Sequence, residues 1–217
     1  IELSNTPGGD SSPLKFDLLA NGIRDIGVNN NLNSTSNTVI ELPDIIPPRL
    51  LQVNISYSTG VITLLASETI DVTPGDKVNL TKYAVFNQES DINNVTVSIL
   101  DALSSKSTVS SVDSPTFQIL LTEHQRVTIL AKSGTSGGDG TAVFLRANPG
   151  AVTDIGQNQN SEIFTIQAVE FDDIIPPIVQ SATFDFTTGY LELNANETLD
   201  VTPAAKVNLS LLQFFNS

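Results

Sequence analysis

The sequence predicts an all-β protein, built of antiparallel β-sandwich units in tandem with one short helix per unit. Three observations carry that expectation. Short runs alternate apolar and polar residues and end in turns rich in Gly, Pro and Asn. The pattern also returns along the chain. Asp44-Ile45-Ile46-Pro47-Pro48 recurs as Asp173-Ile174-Ile175-Pro176-Pro177, and without a gap residues 44–88 match 173–217 at 21 of 45 positions. Unrelated chains would match at roughly one position in fifteen, so this segment is duplicated. Finally, only 16% of the residues are charged while Asn, Ser and Thr abound, a balance that suits an exposed polar β protein.

The duplication sets the organisation. Gly8-Gly9-Asp10 returns as Gly137-Gly138-Asp139, and Asp25-Ile26-Gly27 with Asn29 and Asn31 returns as Asp154-Ile155-Gly156 with Asn158 and Asn160. Residues 1–43 are therefore expected to form the C-terminal part of a preceding unit, 44–172 one complete unit, and 173–217 the N-terminal part of a following one. The chain starts at Ile1 with no Met and no signal peptide, so a window from a longer polypeptide is expected. If these were true ends, each terminal piece would expose half a core that only another subunit could cover, as in strand complementation.

Each unit opens on Pro-Pro, which holds the lead-in extended because both rings fix φ and neither nitrogen can donate a hydrogen bond. With Ile45 and Ile46 packed on the neighbouring unit, this predicts a short, stiff joint. Val53, Ile55 and Tyr57 then face inward, matched by Ala182, Phe184 and Phe186. Ser58-Thr59-Gly60 and Thr187-Thr188-Gly189 predict three-residue hairpins with a left-handed glycine. Ile62, Leu64 and Ala66 continue the inner face, as do Leu191, Leu193 and Ala195, while outer Thr63 drifts to Glu192. Val95-Val97-Ile99, Phe117-Ile119-Leu121 and residues 163–169 supply further strands. Thr122-Glu123-His124-Gln125 is a capping box, followed by Val127, Leu130 and Ala131 at helical spacing and Gly134 as a stop. Many short strands with polar turns and one minor helix predict a sandwich of immunoglobulin-like type.

Composition excludes several roles. Ten Lys+Arg against 24 Asp+Glu give a net charge of −14, which argues against nucleic acid or an anionic membrane as partner. No apolar run approaches the ~20 residues of a membrane-spanning helix. Without cysteine there are no disulfides and no thiolate chemistry. The single histidine, His124, lies in the predicted helix with no nucleophile signature elsewhere, so no enzyme and no cofactor is expected. Glu68/Glu197 and Asp71/Asp200 recur once per unit and read as strand-end and turn residues.

The densest functional signal is Asn-x-Ser/Thr, at Asn33, Asn54, Asn79, Asn94, Asn196 and Asn208. Alternation turns five of them outward and places Asn33 in a polar loop. Asn79-Leu80-Thr81 becomes Asn208-Leu209-Ser210, so the acceptor is kept although its third residue changes. Covalent glycans are expected here. They would shield sheet edges on a weakly charged surface. Ser104-Ser105-Lys106-Ser107-Thr108 could carry O-linked sugars, and Pro47, Pro48, Pro176 and Pro177 could be hydroxylated and glycosylated. Calcium is the weaker candidate. Asp25 and Asp154, each with a pair of asparagines (Asn158 and Asn160 for the latter), and Glu170, Asp172 and Asp173 offer oxygen ligands. The spacing is not that of an EF-hand, and such clusters ordinarily build turns.

The pattern D-x-x-P-P, strand, T-G, alternating strand, E-T-x-D-V-T-P and a later D-I-G-x-N-x-N loop covers essentially all 217 residues. It resembles the tandem immunoglobulin-like repeats of very large secreted proteins of algae and other protists and, more distantly, of bacterial surface adhesins. The resemblance implies an extracellular or cell-surface location and a structural role in a glycosylated filament whose partners are copies of itself. An adhesin stalk or carbohydrate-binding module is the alternative. It is disfavoured by aromatics of only 6%, no Trp, and the inward placement of Phe184 and Phe186.

Overall fold

The computed structural model describes residues 3–86 and 108–215, in a β-rich fold. A head hairpin pairs β1 (Lys15–Leu18) with β2 (Ser34–Thr38). The central segment holds β3 (Leu50–Ser56), β4 (Val61–Ile70), β5 (Tyr83–Phe86), β6 (Thr108–Val109), β7 (Ser114–Leu120), β8 (Phe144–Ala147), β9 (Phe164–Gln167) and β10 (Val169–Phe171). They assemble into a five-stranded sheet, β10-β3-β4-β7-β6, and a three-stranded sheet, β5-β8-β9. A tail hairpin pairs β11 (Val179–Asp185) with β12 (Tyr190–Ala195).

Alternation places the core. Val53, Ile55, Ile62, Leu64, Phe117 and Ile119 of the larger sheet share one buried cluster with Tyr83, Val85, Leu145 and Ala147 of the smaller. Every fully buried member of that cluster lies between Leu50 and Ala168, so the central segment closes its interior without the head or the tail. Gly60 takes the expected left-handed conformation, at φ 68° with its N–H on the Ser56 carbonyl at 2.9 Å, but the loop between the paired Ser56 and Val61 has four residues, 57–60, and not the expected three. Gly189 repeats that turn in the tail at φ 77°.

Ile45 and Ile46, expected to pack on the neighbouring unit, are instead 76% and 69% exposed, on a lead-in that the prolines hold extended. Two further features depart from expectation. Pairing is antiparallel except where β10 adds to the free edge of β3 in parallel. The chain leaves β9 in the smaller sheet, passes through Ala168 and reaches β3 from the other layer, so no hairpin dictates its direction. The second departure is the buried face of the helix, α1 (Glu123–Leu130). The capping box forms, with the Gln125 amide on Thr122 Oγ1 at 3.4 Å and the Thr122 amide on Gln125 Oε1 at 2.7 Å. The residues α1 buries, however, are Gln125, Arg126 and Ile129 rather than Val127, Leu130 and Ala131. It also ends at Leu130, before Gly134. Apolar spacing cannot register a face whose anchor is a buried charged residue held by carboxylates. The expected strand at Val95, Val97 and Ile99 lies outside the described residues.

The tail reproduces the local structure of its counterpart. The 3-10 turns Gly75–Lys77 and Leu80–Lys82 recur as Ala204–Lys206 and Leu209–Leu211. Lys77 pairs with Asp71, and Lys206 pairs with Asp200. Among the described residues no helix is long and apolar enough to cross a membrane.

Candidate functional site

Polar side chains concentrate at the two ends of the central segment. At the end facing the tail, the Arg126 guanidinium is the hub. Its Nε and Nη2 grip Glu123 in a two-pronged pair at 2.7 and 2.8 Å. Nη1 donates to Asp173 Oδ2 at 2.5 Å and to the Tyr57 carbonyl at 2.9 Å, and Nη2 reaches Glu197 Oε2 at 3.3 Å. Such planar, forked donation is what arginine supplies and lysine cannot. Glu123 closes the arrangement by accepting the Thr198 amide at 2.8 Å. The Ser58 hydroxyl donates to the Asp172 carbonyl at 3.1 Å and accepts the Ile174 amide at 3.0 Å. The Arg126 hydrogen bonds hold the Glu123 carboxyl down at about 2, against a penalty from partial burial. Asp173, Glu197 and Thr198 all belong to the second copy, so Arg126 fastens the start of one copy to the body of the one before.

At the opposite end the carboxylates of Asp44, Glu68 and Asp154 lie within 4.8 Å of one another. Asp154 is buried and takes the amide and side-chain nitrogen of Asn158 at 2.8 and 3.0 Å. Among the described residues no lysine or arginine pairs with any of the three. The Glu68 carboxyl is accordingly raised, by burial first and then by the Asp154 and Asp44 charges. These three groups could serve a cation, although they supply fewer oxygens than the six to eight calcium takes.

The sequence-derived candidates fall as follows. Asn54 and Asn79 are half-buried on the outside of the central segment, while Asn33, Asn196 and Asn208 are exposed. In all five the bonded atom is Oδ1. It accepts from Gln52 in Asn54, from Thr81 in Asn79, from Ala20 in Asn33, from Ile178 in Asn196 and from Ser210 in Asn208. Glycan attachment uses the other atom, Nδ2. Asn94 lies outside the described residues, as do residues 104–107. Pro48 is buried and Pro47 half-buried, whereas Pro176 and Pro177 are exposed. Of the calcium candidates, Asp154 joins Asp44 and Glu68, which sequence reasoning had not grouped with it. Asp25 is turned onto Asn29, as Asp154 is onto Asn158. Asp172 takes the Ser136 amide, and Asp173 takes Arg126. His124 is exposed on α1.

Arg126, Glu123 and Glu197 were not singled out by sequence as a site. Their signal was the recurrence of Glu68 as Glu197 at the same place in each copy, which reads equally well as a strand-end preference. No protein-family model, curated protein or solved structure matches this chain.

Proposed function

We propose that this chain is a structural segment of an extracellular glycosylated filament in which immunoglobulin-like sandwich repeats pack end to end. One observation carries the reading: Asp173, the first residue of the second copy, is held by the buried Arg126 of the first, so consecutive copies meet at a fixed contact. A loose tether would leave a charged group free in solvent. Here the guanidinium is turned inward and shared among three carboxylates. The partners are further copies of the repeat.

The outward asparagines, each bonded through its oxygen, support a sugar coat. A carbohydrate-binding role would need aromatic side chains built for a ligand. The exposed cluster of Phe184, Phe186, Phe214 and Phe215 instead occupies the positions of Ile55, Tyr57, Val85 and Phe86, which are core in the central segment.

Secretion from a glycosylating eukaryotic host, followed by glycopeptide mass spectrometry and electron microscopy, tests the proposal. Sugars at Asn54, Asn79, Asn196 and Asn208 on rod-like particles are expected. Bare asparagines on particles that bind discrete glycans would reverse it in favour of an adhesin module.

A further inference from the structure

The acidic cluster at the head-facing end is the repeat counterpart of the Arg126 contact. Counting by the interval that relates the copies, Asp44 corresponds to Asp173, Glu68 to Glu197 and Thr69 to Thr198. Asp173 and Glu197 share one guanidinium, and Thr198 donates to the glutamate that grips it. Asp44 and Glu68 stand within 4.8 Å of each other, and Thr69 lines the same open pocket. Lys77 lines it too but is paired with Asp71, and among the described residues no lysine or arginine pairs with Asp44 or Glu68.

The head supplies a second, independent indication. Residues 4–14 correspond to 133–143, the stretch that follows α1 directly. They keep its hydrogen bonds: Ser4 Oγ to Thr6 Oγ1 at 2.7 Å repeats Ser133 to Thr135 at 2.7 Å, and the Asn5 amide on Glu41 at 3.0 Å repeats Gly134 on Glu170 at 3.4 Å. This stretch lies against the central segment beside the cluster. Gly8 (φ 87°) lines the pocket and sits so close to the Ile155 carbonyl that a Cβ there would stand 1.8 Å from the oxygen. The segment that succeeds a helix of the α1 type therefore already rests at the rim of the unpaired acids.

We propose that Asp44 and Glu68 form the receptor for the arginine that a second copy of this repeat carries at the position of Arg126, with Thr69 donating to that copy's counterpart of Glu123. The inference rests on the end-to-end reading and adds to it the chemistry of the receiving face. Asp154 increases the negative charge there, and a guanidinium, with five N–H donors in a plane, can serve several carboxylates at once.

The test compares the chain as it stands with a chain extended at its N-terminus by residues 44–129, so that the added copy runs without a gap into Ile1. In the chain as it stands, Asp44→Asn with Glu68→Gln removes mutual repulsion, and the melting temperature stays level or rises. In the extended chain the same pair of substitutions lowers it. Arg126→Met in the added copy alone abolishes that difference. The Thr69 amide exchanges at least about tenfold more slowly when the arginine is present.

A fall in melting temperature on neutralising Asp44 and Glu68 in the unextended chain would overturn the proposal, even if the extended chain failed to fold. So would micromolar calcium that stabilises the unextended chain only while both acids are present, since the cluster would then be a metal site. Should the added copy dock rigidly with its arginine elsewhere, this inference falls and the end-to-end reading stands. Should it fold and tumble independently by NMR relaxation, both fall.

Discussion

The front of the central segment and the tail carry one sequence pattern in two environments. Ile55 and Tyr57 are wholly buried, whereas Phe184 and Phe186, at the same positions, are 37% and 92% exposed. Val85 is 1% exposed and its counterpart Phe214 is 74% exposed. Even so, hairpin, left-handed glycine, 3-10 turns and lysine–aspartate pair are the same in both. Local structure thus needs only the first part of the repeat, because turn residues and alternation act over a few neighbours. Burial needs the rest: β7 beside β4, and β8 across from β3. Among the described residues, the tail presents the inner face of a core without the strands that cover it in the central segment.

Matched substitutions sharpen this contrast most. Leu64→Ala should cost about 2–5 kcal/mol in urea unfolding, since Leu64 is fully enclosed. Leu193→Ala, at the equivalent place in β12, should cost under about 1 kcal/mol. Equal losses would show that the tail is covered in solution. Next in size is Arg126→Met, which leaves three carboxylates without their shared partner. It should weaken docking of the tail by about 2 kcal/mol, read as faster exchange of the Ile174 and Thr198 amides. Arg126→Lys should not restore protection, because the fork is lost.

Acid distinguishes the two ends by sign. Glu123 is depressed to about 2 by Arg126, so its contribution is fully present above the ordinary glutamate value near 4.5 and is lost as pH falls toward 2. Glu68 is raised by burial and by neighbouring carboxylates, so it favours the fold when protonated and opposes it as pH climbs past its raised value. Carboxyl titration by NMR should therefore show the tail contact loosening below pH 4.5, while the Asp44 end relaxes. Matching signs at both ends would break the comparison. The smallest effect is expected for Thr122→Ala, about 1 kcal/mol from the lost cap of α1, read in thermal unfolding.

Much of the fold was legible in sequence because the signals were local. Gly60 and Gly189 announced their turns, Thr122 and Gln125 announced the helix start, and alternation chose Val53, Ile55, Ile62 and Leu64 for the interior. The joint was not legible in that way. Arg126 meets Asp173 and Glu197 from 47 and 71 residues away, and a buried charge breaks the apolar spacing that marks a helix face. Asp154 was noticed for its asparagines, but Asp44 and Glu68 come to it only once β4 and the 154–160 loop have packed. The direction of β10 was equally hidden, since a three-residue strand arriving from another layer carries no hairpin signal.

That parallel strand has a mechanical consequence. The chain enters the central segment at the start of β3 and leaves it from the end of β10, and the two run side by side in the same direction. Tension applied along the polypeptide would drag them past one another lengthwise, so the Val169, Glu170 and Phe171 rungs share the load together and do not peel apart singly. A fibre made this way would resist stretching through a shear clamp at every module, with the Arg126 pairing seated just beyond it.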